Sequence, residues 1–254
     1  NRYAGTVEVA DGARPQMVFQ DPAGSLNPAR TVGWILEEPL RLRGISDREE
    51  RKRLVASMLK EVGLDASFAG RRPRELSGGQ RQRISIGAAL LMDSRLLIAD
   101  EPVSALDVTV QSQILALFAR MHRERKLTIL FISHDLNVVR SLCGRIAVIY
   151  RGEIVEEGRA DDVYEHPAHP YTKLLLASVA GRIAAGEDGR GPEHPEGAGE
   201  AFLDLTDQKT ERAPEGCVFF DRCPERCASC RDKRPELTDL GGGHTFRCRR
   251  GQPA

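Results

Sequence analysis

The sequence lacks net charge: 37 Lys and Arg balance 37 Asp and Glu over 254 residues. A global electrostatic pull toward nucleic acid is therefore excluded. It also lacks an apolar run long enough to cross a bilayer, and no signal peptide is visible. Any membrane role is expected to come through a partner. No repeat of solenoid length is evident. Cysteine is nearly missing from the first 216 residues, where Cys143 stands alone in an apolar stretch and reads as core. The other five fall between Cys217 and Cys248, which predicts a small C-terminal cysteine module. Hydrophobic residues make up 41% of the chain, enough for one or two domains with a real core.

What is present is organised around Leu76-Ser77-Gly78-Gly79-Gln80-Arg81-Gln82-Arg83. Ser77 and Gln80 have the spacing of a capping box, and Ile84, Ile86, Ala88, Ala89 and Leu91 follow as a helix. A cap does not explain Gly78-Gly79, because two glycines in a first turn cost helix stability. Something must approach the backbone closely there. A helix N-terminus with bare N–H groups and no β-carbon in the way is an anion site. By itself the stretch reads equally well as a cap or as a phosphate site.

Its surroundings supply the context. Thr6-Val7-Glu8-Val9 alternates, Asp11-Gly12 turns, and Gln16 to Gln20 reads as a buried strand ended by Asp21-Pro22. Residues 31–93 read as helices; Arg48 to Val62 has Leu54, Val55, Met58, Leu59 and Val62 on one face and Gly63 as its stop. Residues 94–150 alternate strand and helix, the pattern of a parallel sheet. Leu96 to Ala99 runs into Asp100-Glu101, Leu127 to Ile132 runs into Ser133-His134, and Ile146 to Tyr150 is a further strand before the Arg151-Gly152 turn. Residues 166–181 form a His-Pro-rich turn and a short apolar helix. Residues 182–215, rich in Gly, Glu, Pro and Ala, read as a linker.

Gln20, Asp100-Glu101 and His134 thus all sit at strand C-terminal ends, where open parallel sheets bind ligands. A paired acidic site can hold Mg²⁺ and orient a water, and a nearby histidine can stabilise a phosphate. Each residue alone is explained by a helix cap or a loop hydrogen bond. Their combination with the Ser77 to Gln80 stretch is not.

This constellation resembles the nucleotide-binding subunits of ABC transporters. Leu76 to Gln80 is similar to the ABC signature, Leu96 to Glu101 to Walker B with its catalytic glutamate, and Ser104-Ala105-Leu106-Asp107 to the D-loop. Gln20 matches the Q-loop glutamine and His134 the switch histidine. Val18-Phe19-Gln20-Asp21-Pro22, Ser25-Leu26-Asn27-Pro28 and Asp100 to Val108 resemble the oligopeptide/dipeptide importer branch. His169-Pro170-Tyr171-Thr172 and the cysteine tail resemble its C-terminal extension. The resemblance implies an α/β fold, a P-loop NTPase (RecA-like) ABC core. It implies a partial core at 1–33 and 94–165, a helical subdomain at 34–93, a C-terminal helix and linker at 166–215, and a cysteine-rich module at 216–254.

It also implies a mechanism: two such subunits dimerise head to tail with ATP between them. Asp100 would bind Mg²⁺, Glu101 would act on the attacking water, and His134 would contact the γ-phosphate. Ser77, Gly78, Gly79 and Gln80, with Asp107, would face the ATP of a second nucleotide-binding subunit, identical or not. Gln20 would couple the site to two membrane permease subunits. A solute-binding protein outside the cell would act indirectly, and nucleic acid is not an expected partner. The location implied is peripheral, on the cytoplasmic face of the inner membrane. The implied function is to couple ATP binding and hydrolysis to peptide import.

One departure is plain. The 254 residues contain no Gly-Lys pair, hence no Gly-x-x-x-x-Gly-Lys-Ser/Thr loop. In the family that loop precedes a stretch like Ala4 to Gly12 by about one helix, so the sequence reads as beginning just after it. The alternative expectation is a truncated or degenerate subunit that lends its signature motif to a partner without hydrolysing ATP. Opening the middle of the sheet would expose an edge and apolar faces, which predicts a marginal or aggregation-prone chain.

Cys217, Cys223, Cys230 and Cys248 offer four soft ligands in a segment with few core residues, which calls for a staple. Zinc, an iron–sulfur cluster and disulfides are all compatible with the spacing. The resemblance to the importer branch favours a [4Fe–4S] cluster, with Zn²⁺ as the alternative. Cys227 is extra to that pattern.

Overall fold

The computed structural model of the protein describes residues 6, 8, 9, 14–184 and 215–249. These form two compact units, 1–134 and 135–254.

In the first unit a parallel sheet has the order β1-β2-β3, from Gln16–Val18, Leu96–Asp100 and Thr128–Ile132. Val18, Leu97, Ala99 and Phe131 are buried in it. Five helices accompany it: α1 (Pro22–Ser25), α2 (Val32–Leu42), α3 (Arg48–Glu61), α4 (Gly78–Leu91) and α5 (Val108–Arg125); α4 packs against β1, the Phe118 ring of α5 meets Phe131 of β3, and α1, α2 and α3 pack on α4. Each longer helix starts where its sequence supplies an acceptor. Thr31 accepts from the Trp34 N–H, Asp47 from Glu49, Ser77 from Gln80 and Asp107 from Val110. α3 buries Val55, Met58 and Leu59, with Val62 just beyond, and Leu54 is half-buried. Its end is tied to α5 by a bidentate Arg125–Glu61 pair, both bonds 2.7 Å.

β3 is one edge of this sheet among the described residues. Its Leu130 and Ile132 are exposed, at 54% and 44%. An edge carrying large apolar side chains is a template for further strand pairing.

In the second unit α6 (Leu136–Leu142) leads into β4 (Arg145–Tyr150) and β5 (Glu153–Arg159). The parallel pattern expected through Tyr150 stops before this point: β4 pairs antiparallel with β5. The reason is the tight turn between them. Arg151 and Gly152 both have positive φ, +48° and +80°, the backbone of a two-residue hairpin whose twist matches its strands. α7 (Ala160–Glu165) and α8 (Pro170–Ala184) follow.

The cysteine-rich segment, expected as a separate module, is built into the same sheet. It contains α9 (Ser229–Asp232) and two short strands, β6 (Thr238–Asp239) and β7 (Thr245–Phe246). β7 pairs with Glu156 and Glu157 of β5, giving the order β4-β5-β7-β6. Phe219 is 1% exposed and shares one core with Ile146, Val148, Tyr150, Val155 and Val163. The linker expected at 182–215 lies mostly outside the described residues, with α8 extending to Ala184. In the alternating stretch at 6–9, Thr6, Glu8 and Val9 are not in a strand, and residue 7 is not among those described.

Candidate functional site

The ends of β1, β2 and β3 bring three of the expected residues into contact. Gln20 Nε2 donates to Glu101 Oε2 at 3.0 Å. His134 Nδ1 lies 3.3 Å from Glu101 Oε1. An ionised carboxylate only accepts, so Nδ1 carries the proton in this arrangement. Asp100 closes β2 opposite Ile132, half-buried beside Glu101. Its hard carboxylate oxygens at a sheet's C-terminal edge suit Mg²⁺.

Glu101 is held by its backbone as well as its side chain. Its φ is +43°, left-handed for a residue with a β-carbon. Such a conformation costs on the order of 1–3 kcal/mol and persists only where surroundings over-determine it. Here the Glu101 N–H donates to the Ile132 carbonyl at 3.0 Å, and the Glu101 carbonyl accepts from Ser104 Oγ at 3.1 Å. Ser104 Oγ also lies 3.4 Å from Gln20 Nε2. Ser104 is a site residue the sequence did not single out; its place in Ser104-Ala105-Leu106-Asp107, three residues after the glutamate, was the available signal.

The same short segment connects to the start of α4. Asp107 caps α5 by accepting from the Val110 N–H at 2.9 Å. Ser77 and Gln80 form the expected capping box: the Gln80 N–H donates to Ser77 Oγ at 3.3 Å and the Ser77 N–H to Gln80 Oε1 at 3.0 Å. The close approach expected at the glycine pair is real, and at Gly79 it is made by the protein itself. A β-carbon on Gly79 would lie 2.3 Å from Val110 Cγ1. At Gly78 the nearest atom to such a carbon is Leu106 Cδ2, at 3.5 Å, and Ser77 is exposed. Gly79 is therefore explained by helix packing, while Ser77 and Gly78 stay open toward solvent. The Gln20–Glu101–His134 cluster and the start of α4 are two separate places in one unit, linked by residues 104–110.

The structure does not support a metal site at the cysteines. Burial pushes the Cys217 and Cys223 thiols up, and neighbouring thiols add to the rise. The sulfurs thus share one neighbourhood. Yet among the described residues no group of three or more His, Cys, Asp or Glu side chains is placed to hold a metal ion. Cys230, one of the four expected ligands, meets Cys227 instead, with sulfurs 3.1 Å apart. Hydrogen bonds from the Ser229 hydroxyl and the Cys230 thiol hold Cys227 below the ordinary thiol value, and burial raises Cys230. All the cysteines are free thiols. Four cysteines in sequence do not fix where their sulfurs point, and the fifth captures one of them.

A parallel sheet with this cluster at its strand ends and a capped glycine pair at a neighbouring helix start is the architecture of an ABC-type nucleotide-binding domain. The ABC transporter family model matches residues 5–104, and the oligopeptide/dipeptide transporter C-terminal region matches residues 155–230. The oligopeptide transport ATP-binding protein AppF of Bacillus subtilis is 43% identical over 92% of this chain and 68% of its own length. The dipeptide transport ATP-binding protein DppF of Escherichia coli is 43% identical over 89% of this chain and 65% of its own. The chain thus spans about two thirds of the length of these relatives. Among solved structures, the ATP-binding cassette MJ0796, dimeric and bound to ADP and Pi, superposes with a TM-score of 0.53 at 33% identity, covering 58% of this chain and 63% of that one. CbiO1 from Clostridium perfringens gives 0.53 at 26% identity, covering 66% of each chain. The chain belongs to the ABC transporter ATP-binding proteins, in their oligopeptide/dipeptide branch.

Proposed function

We propose that this protein is the ATP-driven energising subunit of a peptide importer. It would work as one of a pair of nucleotide-binding subunits, peripheral to the cytoplasmic face of the membrane and docked on two permease subunits. The observation that carries the reading is the meeting of Gln20, Ser104 and His134 around one strained glutamate, Glu101.

Phosphoryl transfer to water asks a protein for positioning and charge stabilisation more than for covalent chemistry. In this reading Glu101 orients the attacking water and takes its proton. Gln20 donates to one carboxylate oxygen and His134 to the other, so the carboxylate is aimed before substrate arrives. Both donors are exposed and can turn away toward a phosphate or a coupling partner. Asp100 would hold Mg²⁺, which neutralises charge on the phosphates. The first turn of α4, from Ser77 through Gly78 to Gln80, would face the nucleotide of the partner subunit, and Asp107 sits at that same boundary. The cluster expected on Cys217, Cys223, Cys230 and Cys248 does not enter this reading, because among the described residues no metal-holding group is assembled there.

The test is made on the full-length protein assembled with its own permease subunits in proteoliposomes. Peptide uptake should require ATP and should fail when Glu101→Gln is introduced, with the complex still assembled and still binding nucleotide. Undiminished ATP turnover and uptake with Glu101→Gln would refute the role given to Glu101 and favour a subunit that only lends its signature segment.

A further inference from the structure

We propose that Ser104 is a positioning residue whose hydroxyl makes the aim of Glu101 conditional on Gln20, so that a movement of Gln20 is felt by the Glu101 backbone as well as by its carboxylate. The inference rests on the function proposed above and deepens it.

The hydrogen bonds around Ser104 run in one direction. Its hydroxyl has a single proton, and Oγ lies 3.1 Å from the Glu101 carbonyl oxygen, which can only accept. Oγ also lies 3.4 Å from Gln20 Nε2, an amide nitrogen that can only donate. Ser104 therefore accepts from Gln20 and donates to the Glu101 main chain. The other N–H of the same amide donates to Glu101 Oε2 at 3.0 Å. Gln20 thus holds Glu101 twice, directly at the carboxylate and through Ser104 at the backbone. A hydroxyl that accepts a hydrogen bond is a stronger donor, so the two links of the Gln20–Ser104–Glu101 chain reinforce each other.

The backbone link matters because the φ of Glu101 is +43°. A left-handed residue with a β-carbon persists only where its surroundings hold it. The Glu101 N–H donates to the Ile132 carbonyl at 3.0 Å, and the Ser104 N–H donates to the Glu101 carbonyl at 3.3 Å. Those bonds fix the strand end and the turn after it. The Ser104 hydroxyl alone connects that turn to Gln20, 84 positions earlier in the chain. When Gln20 swings toward a coupling partner, the carboxylate loses a donor and the hydroxyl is left without the bond that strengthens it. Removing the hydroxyl leaves Gln20 with the carboxylate only, and the backbone no longer registers where Gln20 is. Ser104 and Gln20 are both exposed, so the hydroxyl can be removed or flanked by a methyl group without disturbing a core.

The test is ATP turnover by the full-length protein assembled with its own permease subunits in proteoliposomes, with kcat and KM for ATP read separately. Ser104→Ala should lower kcat by about 3- to 10-fold, the effect of one hydrogen bond, and leave KM unchanged. Ser104→Thr keeps the hydroxyl and should restore the parent kcat. Gln20→Ala removes the donor on which Ser104 acts, so adding Ser104→Ala to it should slow turnover little further. Equal losses in Ser104→Ala and Ser104→Thr would overturn the proposal, as would losses that simply multiply in the double variant, because the residue would then act on its own turn and not through Gln20. A parental kcat in Ser104→Ala beside an inactive Glu101→Gln also overturns it and leaves the role of Glu101 standing. Turnover that survives Glu101→Gln removes that role, and this proposal with it.

Discussion

Gln20 and Glu101, 81 residues apart in the sequence, are joined by a 3.0 Å hydrogen bond from Nε2 to Oε2. The bond crosses from the end of β1 to the end of β2, neighbouring strands of one parallel sheet. Its acceptor sits on a left-handed backbone. A glutamate confined in this way by chain, amide and imidazole is poised for a task that depends on aim. It also lies where a change at Gln20 is felt at once by the carboxylate.

Replacing that carboxylate by its amide should separate binding from turnover. Glu101→Gln preserves shape and one carbonyl acceptor but cannot take a proton. General-base removal costs about 10²–10⁴-fold in rate. Phosphate release by the assembled transporter should fall by at least about 100-fold, with nucleotide affinity nearly unchanged. Gln20→Ala should lower the rate less and weaken the dependence of turnover on peptide. Equal loss of affinity and rate in Glu101→Gln would contradict the assignment.

Gly79→Ala should destabilise the first unit, since the new methyl would sit 2.3 Å from Val110 Cγ1. Overpacking of this kind costs typically 1–3 kcal/mol. The double variant with Val110→Ala should recover most of the loss, because the two residues share one contact. Ser77→Ala removes an N-cap and should cost about 1 kcal/mol with no such rescue. Urea unfolding of the four variants reads these values. Additive losses for Gly79→Ala and Val110→Ala would mean that the glycine is kept for a ligand and not for α5.

Much of the first unit was legible because its signals are local. Ser77 and Gln80, the apolar face from Leu54 to Val62, and the apolar runs ending at Asp100 and His134 all lie within a few residues of the structure they specify. The second unit was not legible in the same way. β7 is two residues long and pairs with β5 some ninety positions earlier, and no periodicity can announce such a partner. Glu156, next to Glu157 in β5, was not singled out, yet it is fully buried. The missed signal was its company: His169 and His244 are two of only six histidines. Thiol direction failed for the same reason, since spacing gives neighbourhood and not orientation.

That buried glutamate makes the next prediction. Glu156 Oε1 accepts from the Ala168 N–H and from His244 Nε2, both at 2.8 Å, and Oε2 accepts from the His169 N–H at 2.8 Å. One carboxylate therefore ties β5 to the turn before α8 and to the cysteine-rich segment. Glu156→Gln turns an NH₂ group toward at least one of these donors, leaving it unsatisfied at about 1–3 kcal/mol. The thermal midpoint should drop and amide exchange at Ala168 and His169 should quicken, while exchange within β1 to β3 stays as it was. Uniform acceleration across both units would show that Glu156 serves global stability and not this junction.

His169 sets the acid limit of the same junction. It is 1% exposed, and its Nδ1 accepts from the Tyr171 N–H at 3.1 Å, which only the neutral ring can do. Burial lowers its pKa from 6.5 to about 4, against the opposing pull of Glu156 and Glu225 and with a small further push from Lys173. Between these two values the unfolded chain binds the proton and the folded chain does not. Stability from His169 is therefore complete above the unfolded pKa and is lost as pH falls from about 6.5 toward 4. The loss at pH 4 is on the order of 3 kcal/mol. His169→Asn keeps an acceptor for the Tyr171 N–H and cannot be protonated. Unfolding free energies of the parent and this variant, measured by urea from neutral pH down to about 4, should diverge by that amount. Parallel curves would mean that His169 titrates in the folded protein as it does in the unfolded chain, and that acid sensitivity arises elsewhere.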